Sequence, residues 1–276
     1  MSKIKSAIKL FIPPIFLKVF SLKKKTPIQF QKTNLSWDDV LIQTKDGYSK
    51  ENILIKCKES LLKVKNGEYP YERDSVLFTE KEIFFPLLSS LLYVSSKNNN
   101  TLNIIDFGGS LGSTYFQNKD ILKQAGITIN WNIIEQDNFV KCGNESFSND
   151  ELKFYNNIDE ISNKNEISVC LFSSVLPYLK EPYTVLDSMK KYNIKYIIID
   201  RTFFLDNAPN DILTIQRVPP EIYEASYPAW FFSLSKLISL FKYNYNILFK
   251  WNCTEHHCLN NYKTSVCGFF LERIFN

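Results

Sequence analysis

The chain has 276 residues, 45% hydrophobic and 22% charged, so it can bury a large core and is neither a disordered tail nor a disulfide-stapled miniprotein. Its net charge of +4 is uneven: residues 1–25 carry seven lysines and no acid, leaving the body at −3. With only Arg73, Arg201, Arg217 and Arg273 as arginines, that body lacks the clustered cations nucleic acid demands, which excludes DNA or RNA as substrate. Cys57, Cys142, Cys170, Cys253, Cys258 and Cys267 are scattered and read as thiols of a reducing, cytoplasmic compartment.

Residues 1–25 form a basic segment whose apolar run, Leu10 to Leu22, is 13 residues long and is broken by Pro13 and Pro14. That is short of the ~20 residues a spanning helix needs. Ile4, Ile8, Phe11, Ile15, Phe16, Val19 and Phe20 could enter a membrane interface while the lysines face anionic lipid, a peripheral contact at the inner face of the cytoplasmic membrane. A short helix packed on the protein's own core is the other reading of the same pattern.

Residues 26–98 read as a helical lead-in. A helix is expected over Ile53 to Val64, a turn at Asn66-Gly67, and a second helix over Glu80 to Ser95, where Ile83, Phe84, Leu87, Leu88, Leu91 and Leu92 recur at helical spacing. From residue 99 the texture changes to short apolar runs separated by helical stretches, the pattern of a doubly wound parallel sheet. The expected strands are Leu102–Phe107, Asn130–Ile134, Leu152–Tyr155, Ser168–Phe172 and Tyr196–Ile199, with helices near Gln117–Ala125, Asn138–Ser146 and Thr184–Tyr192. An irregular insertion with four prolines is expected at about 204–230, then a helix over Trp230–Lys242 and two closing strands, Tyr245–Trp251 and Ser265–Ile274, that could pair antiparallel.

The most informative stretch is Asp106-Phe107-Gly108-Gly109-Ser110-Leu111-Gly112, directly after a strand and before a helix. Glycines there let the backbone turn sharply and let a ligand approach at the carboxyl end of the sheet. Glu135, 23 residues beyond Gly112, ends the next strand, where a carboxylate can accept both hydroxyls of a ribose. Together they point to a nucleotide-like cofactor.

This arrangement resembles the class I S-adenosylmethionine-dependent methyltransferases, whose first motif is acidic-x-Gly-x-Gly-x-Gly. Asp106, Gly108, Ser110 and Gly112 take its positions, with serine for the middle glycine and Gly109 where the family is variable. Cys170 to Leu179 resembles the segment that ends the fourth strand and passes the cofactor, which implies roles for Ser173, Ser174 and Tyr178; Ile167 and Ser168 stand where methyltransferases often carry Asp. Asn156 sits where the family contacts adenine, and Cys267 to Glu272 resembles the closing antiparallel strand. The resemblance covers roughly residues 100–276 and implies a Rossmann-like, mostly parallel seven-stranded sheet with an antiparallel last strand, behind a helical N-terminal lid.

Four segments resemble more narrowly an uncharacterised methyltransferase family of bacterial surface-polysaccharide gene clusters, those of O-antigen lipopolysaccharide and capsule. They are Tyr71–Ser75, the Asp106–Tyr115 loop, Gln216–Tyr223 and Ala225–Phe232. That implies a sugar or glycan-intermediate acceptor.

Methyl transfer is an in-line displacement in which alignment supplies much of the rate, and an oxygen acceptor also benefits from a base. His256 and His257, the only histidines, are candidates, followed by Asp200. Arg201 could clamp the acceptor, Arg217, Tyr227 and Trp230 could floor a sugar ring, and Arg73 could fold over the site to hold the cofactor's carboxylate. Cys253, His256, His257 and Cys258 match no strong zinc spacing, so no metal is expected. Two further readings stay open: a nicotinamide-dependent oxidoreductase, disfavoured because Gly-x-Gly-x-x-Gly is missing, and a non-catalytic module of a glycan-assembly complex.

Overall fold

A computed structural model describes residues 27–44, 51–219 and 225–274. The basic segment 1–25 and Pro220 to Tyr223 of the Gln216–Tyr223 motif lie outside the described residues. The lead-in holds β1 (Gln29–Lys32), α1 (Trp37–Thr44), α2 (Glu51–Lys65), a hairpin of β2 (Tyr71–Arg73) and β3 (Val76–Phe78), and α3 (Phe85–Ser96). The second helix begins later than its apolar spacing suggests because Pro86 sits in its first turn, a position that fits proline and starts a helix. Leu87, Leu88, Leu91 and Val94 then bury one stripe of α3.

The core follows as β4 (Thr101–Phe107), α4 (Ser113–Gln124), β5 (Thr128–Ile134), α5 (Asp137–Ser146), β6 (Leu152–Tyr155), β7 (Val169–Ser173), α6 (Pro182–Ser188) and β8 (Tyr196–Leu205). After it come β9 (Ile212–Val218), β10 (Ala225–Ser233), α7 (Leu234–Phe241), β11 (Tyr245–Asn252) and β12 (Thr264–Arg273). Strands β6, β5, β4, β7 and β8 lie side by side in that order and parallel. β12 is antiparallel to β8 and carries β11 on its outer side. These seven strands form the expected doubly wound, mostly parallel sheet with an antiparallel last strand, and β10, β9 and β1 continue it from β8 to ten strands.

Both faces of the central strands β4, β7 and β8 are buried, which is why they read as unbroken apolar runs, whereas β11 at the edge is mostly exposed. Ile104, Trp131 and Ile133 pack under Leu91, Tyr115, Leu122 and Phe139 on one face. Ile105, Phe172, Ile197 and Ile199 pack with Leu186, Leu237 and Phe241 on the other. Chain order runs outward from β4 to β5 and β6, then returns to β7, so the strand order reverses beside β4. Ligands of open α/β sheets bind outside the carboxyl ends at such a point.

The stretch at about 204–230 is ordered, not irregular. β9 and β10 pair antiparallel from Ala225↔Val218 to Phe231↔Ile212, and β1 adds to β9. Proline is tolerated at Pro228 because β10 has only β9 beside it there; it meets β8 only at Phe232 and Ser233. The helix expected from Trp230 starts at Leu234, capped by Ser233, whose Oγ accepts the Lys236 N–H. Among the described residues no helix is long and apolar enough to cross a membrane.

Candidate functional site

At the end of β4 the chain turns by alternating left-handed residues, Gly108 (φ 71°), Ser110 (φ 52°) and Gly112 (φ 104°). The Gly108 N–H reaches the Ile134 carbonyl of β5 at 2.9 Å, and Gly112 leads straight into α4. A side chain at Gly108 would put its Cβ 2.2 Å from Val175 Cγ2, and one at Gly109 would lie 2.6 Å from Asp106 Cγ and Oδ2. Both are therefore glycine for lack of room. Ser110 holds the left-handed turn with a side chain, at a cost of roughly 1–2 kcal/mol.

Asp106 is buried beneath this loop and accepts the Trp131 Nε1–H at 3.0 Å. Burial pushes its carboxyl up to about 7, opposed by the Trp131 hydrogen bond and helped by the charge of Glu135. Glu135 accepts the Gln136 N–H at 2.8 Å and the N–H of Ser110, which draws it against the glycine turn; burial pushes its carboxyl up as well. A carboxylate has about four lone-pair sites, so Glu135 keeps acceptor capacity for a ligand diol. Asn156, on the neighbouring β6 end, donates its amide to Asp137 and its N–H to Glu160 at 3.0 Å.

On the other side of the reversal Ser173 Oγ donates to Asp200 Oδ2 at 3.1 Å, and Ser174 (φ 58°) donates its N–H to the Asp200 carbonyl at 3.0 Å. Asp200 is buried and also receives Trp251 Nε1–H at 3.0 Å, with the Cys253 thiol at 3.9 Å. Burial pushes its carboxyl up, Arg201 opposing. With these donors in place Asp200 ties β7 to the β11 end and is poorly free to act as a base. Arg201 follows in a left-handed conformation (φ 49°), at a bulge where the β8 register against β12 slips by one.

Arg201 holds the lead-in hairpin down. Its Nε donates to Glu255 Oε1 at 2.9 Å and its NH2 to Asp74 Oδ2 at 2.8 Å. Arg73 shares Glu255 at 3.1 Å and pairs with Glu82 at 3.2 Å. The hairpin thus places Glu72 at the first turn of α4, where Ser113 Oγ donates to it and the Ser75 N–H reaches it at 3.0 Å. Burial lifts the Glu72 carboxyl to about 7. Glu255→Gln leaves two guanidinium groups short of charge and is expected to cost about 1–3 kcal/mol. The measurement is limited proteolysis of residues 71–78, which should quicken at least tenfold; an unchanged rate would show the clamp to be idle.

The predicted acceptor residues divide between two faces of β9 and β10. Tyr178, in a turn after β7, donates its hydroxyl to Gln216 Oε1 at 3.0 Å, Gln216 Nε2 donates to the Tyr227 hydroxyl at 3.2 Å, and the rings of Tyr178 and Tyr227 meet edge-on at 5.4 Å. Phe203, two residues beyond Arg201, closes the group at 6.0 Å from Tyr178. Strand alternation turns Trp230 and Arg217 the other way. Trp230 stacks on Trp37 at 5.9 Å and donates Nε1–H to the Leu179 carbonyl at 3.1 Å, while Arg217 is exposed. His257 lies against Phe203 (4.5 Å) and Phe30 (5.0 Å), where burial lowers it to about 4 and keeps it neutral at neutral pH; His256 is exposed. Among the described residues no three metal-ligating side chains are grouped.

No family model and no curated protein matches the sequence. Among solved structures, the 1,6-didemethyltoxoflavin-N1-methyltransferase of Burkholderia thailandensis, bound to 1,6-didemethyltoxoflavin and S-adenosylhomocysteine, is similar at TM-score 0.42 and 9% identity, over 80% of this chain and 87% of that one. The N-terminal domain of EvdMO1, in the presence of S-adenosylhomocysteine and D-fucose, is similar at TM-score 0.43 and 11% identity, over 78% and 96%. The glycopeptide N-methyltransferase MtfA complexed with S-adenosylmethionine is similar at TM-score 0.45 and 6% identity, over 68% and 93%. These low scores leave the functional argument to the residues themselves.

The carboxyl edge thus gathers Asp106, Gly108, Gly109, Ser110, Gly112, Glu135, Asn156, Ser173 and Ser174 at adjoining strand ends, with Arg73 and Arg201 engaged by acids above them. Ser113 and Glu255 escaped the sequence reading, and Glu72, which lies in the Tyr71–Ser75 segment, pairs with Ser113 and not with Arg73, whose partners are Glu255 and Glu82. No local signal marks Glu255, whose partner Arg73 is 182 residues away.

Proposed function

We propose that this chain is an S-adenosylmethionine-dependent methyltransferase acting on a hydroxyl of a sugar or surface-glycan intermediate. The observation that carries the reading is the glycine turn at the reversal of the sheet, with the Glu135 carboxylate drawn against it and acceptor sites to spare. Gly108 and Gly109 have no room for side chains because Val175 and Asp106 pack against them, which fixes the course of the turn. The cofactor would supply an electrophilic methyl carbon, and no covalent intermediate on the protein is needed. In this reading residues 26–98 act as the lid, 99–276 as the catalytic core with its acceptor side at about 204–230, and residues 1–25 as a peripheral membrane contact. In this reading His257, neutral beside Phe203, takes the hydroxyl proton in place of Asp200, whose oxygens already accept Ser173 and Trp251.

Calorimetry with S-adenosylmethionine, S-adenosylhomocysteine and NADH tests this. The first two should bind, and Glu135→Ala should weaken both ten- to a hundredfold, about 1.4–2.7 kcal/mol. Binding of NADH alone would move the protein to the oxidoreductases. No binding by folded protein would favour the non-catalytic module.

A further inference from the structure

The sheet edge at β11 gathers the apolar surface of this chain. Of the eleven large apolar or aromatic side chains left exposed among the described residues, six lie there: Ile247, Leu248 and Phe249 on β11, Tyr243 just before it, and Phe85 and Tyr93 on α3. They adjoin. Phe249 and Tyr93 both rest against the Phe270 ring of β12, at 5.3 and 5.6 Å. Phe85 joins Leu88, Leu92, Phe249 and Trp251 around a groove of about 390 Å³ between α3 and β11.

Lysines rim this patch on both faces of the sheet. On the α3 face Lys97 Nζ sits 5.6 Å over Tyr93, and Lys195 Nζ sits 5.1 Å over Tyr196, which abuts Tyr93 at 5.9 Å. On the opposite face Lys250 lies 5.5 Å over Phe269, and Lys242 lies 5.6 Å over Tyr243 at the end of α7. The two stretches that build the patch, 83–105 and 225–254, contain no Asp or Glu. Glu272 of β12, the acid beside Lys195, is taken up by that lysine at 3.5 Å and by the Tyr196 hydroxyl at 3.1 Å. Lysine stems laid along apolar rings, with the ammonium at the margin, suit a boundary between hydrocarbon and headgroups.

We propose that this edge rests on a bilayer containing anionic lipid, its apolar side chains entering the headgroup boundary and its lysines meeting lipid phosphates. The contact is shallow. Among the described residues β11 pairs only with β12, so its outer N–H and C=O groups need water or phosphate, which hydrocarbon does not offer. A second copy of the chain fits this edge less well. The register slips between Ile247 and Phe249, and such a bulge bends an edge strand away from pairing. A two-fold contact would also bring two lysine rims together. The assignment does not depend on the methyltransferase reading. With residues 1–25, read above as a peripheral contact, the edge would make up the two weak signals that stable anchoring takes.

The test is co-sedimentation of the full chain with vesicles of phosphatidylcholine, alone and with one-third phosphatidylglycerol, for wild type, Phe85→Ser, Leu248→Ser, Lys97→Glu and Lys250→Glu. All four side chains are exposed, and urea unfolding should show that the variants keep the fold. Wild type should bind the anionic vesicles at least tenfold more tightly than the neutral ones. Each substitution should weaken that binding by about fivefold or more, which is what one lysine near an anionic surface contributes. No binding by wild type, or equal binding to both kinds of vesicle, would overturn the inference. So would variants that bind as wild type does, which would assign the vesicle contact to residues 1–25. Sedimentation velocity without lipid tests the other occupant: a dimer that Leu248→Ser dissociates, with no vesicle binding, would overturn the proposal in favour of a second copy.

Discussion

Gly108→Ala should lower affinity for S-adenosylhomocysteine at least a hundredfold while the protein still folds. Two costs coincide at this residue. A left-handed φ of 71° costs an alanine roughly 1–2 kcal/mol. The added methyl would stand 2.2 Å from Val175 Cγ2 and 2.8 Å from its Cβ. Turning the valine side chain cannot relieve a contact with its own Cβ, so the two loops that flank the sheet reversal must part, at about 1–3 kcal/mol for the overpacking. Gly126 supplies the control. Its φ is 74°, yet nothing lies within 4 Å of a Cβ placed there, so Gly126→Ala bears the backbone cost alone and should leave binding intact. Val175→Ala in the Gly108→Ala background should recover part of the loss. Full affinity in the single variant, read by calorimetry, would show that the glycine turn is not where the ligand sits.

The second large effect is on pH. Asp106 titrates near 7 in the folded chain and at 3.8 unfolded. Between those values the folded chain keeps a proton that the unfolded chain has released, so stability falls as pH rises, by up to about 1.4 kcal/mol per pH unit. Asp106→Asn removes the ionisation and keeps an oxygen to accept Trp131 Nε1–H. Urea unfolding at pH 5, 6, 7 and 8 should show the variant gaining on wild type by about 3 kcal/mol between pH 5 and pH 8, most of it below pH 7. Glu72 acts in the same direction, and His257, lowered to about 4, acts oppositely, losing stability as pH falls from 6.5. Both remain in the variant and cancel in the difference. A difference that ignores pH would place the Asp106 ionisation outside this window.

Much of this architecture could be read beforehand, and the reason is burial. Strands covered on both faces must be apolar throughout, so β4, β5, β7 and β8 announced themselves, and β6 was placed at Leu152–Tyr155, its observed bounds. The glycine turn was readable because its conformation restricts which residues can occupy it. β1, β2 and β3, at three or four residues each, are too short to show alternation. β10 was concealed by Pro228, which counts against a strand unless one knows that only one neighbour pairs there. The faces taken by Trp230 and Arg217 follow from register against β9, which no local pattern encodes.

The bulge at Asp200–Arg201 also decides how the wall of β9 and β10 is held. Below it β8 lies between β7 and β12; above it the same strand runs on through Thr202–Leu205, still paired with β12 and gaining β10 at Phe204 and Leu205. The wall built on β9 and β10 is therefore a cantilever rooted in the central sheet, unable to swing as a separate flap. Change on that side would have to come by exchanging side chains on a fixed frame, whereas the hairpin of β2 and β3 is held to the frame chiefly by the side-chain contacts of Arg73, Arg201 and Glu72.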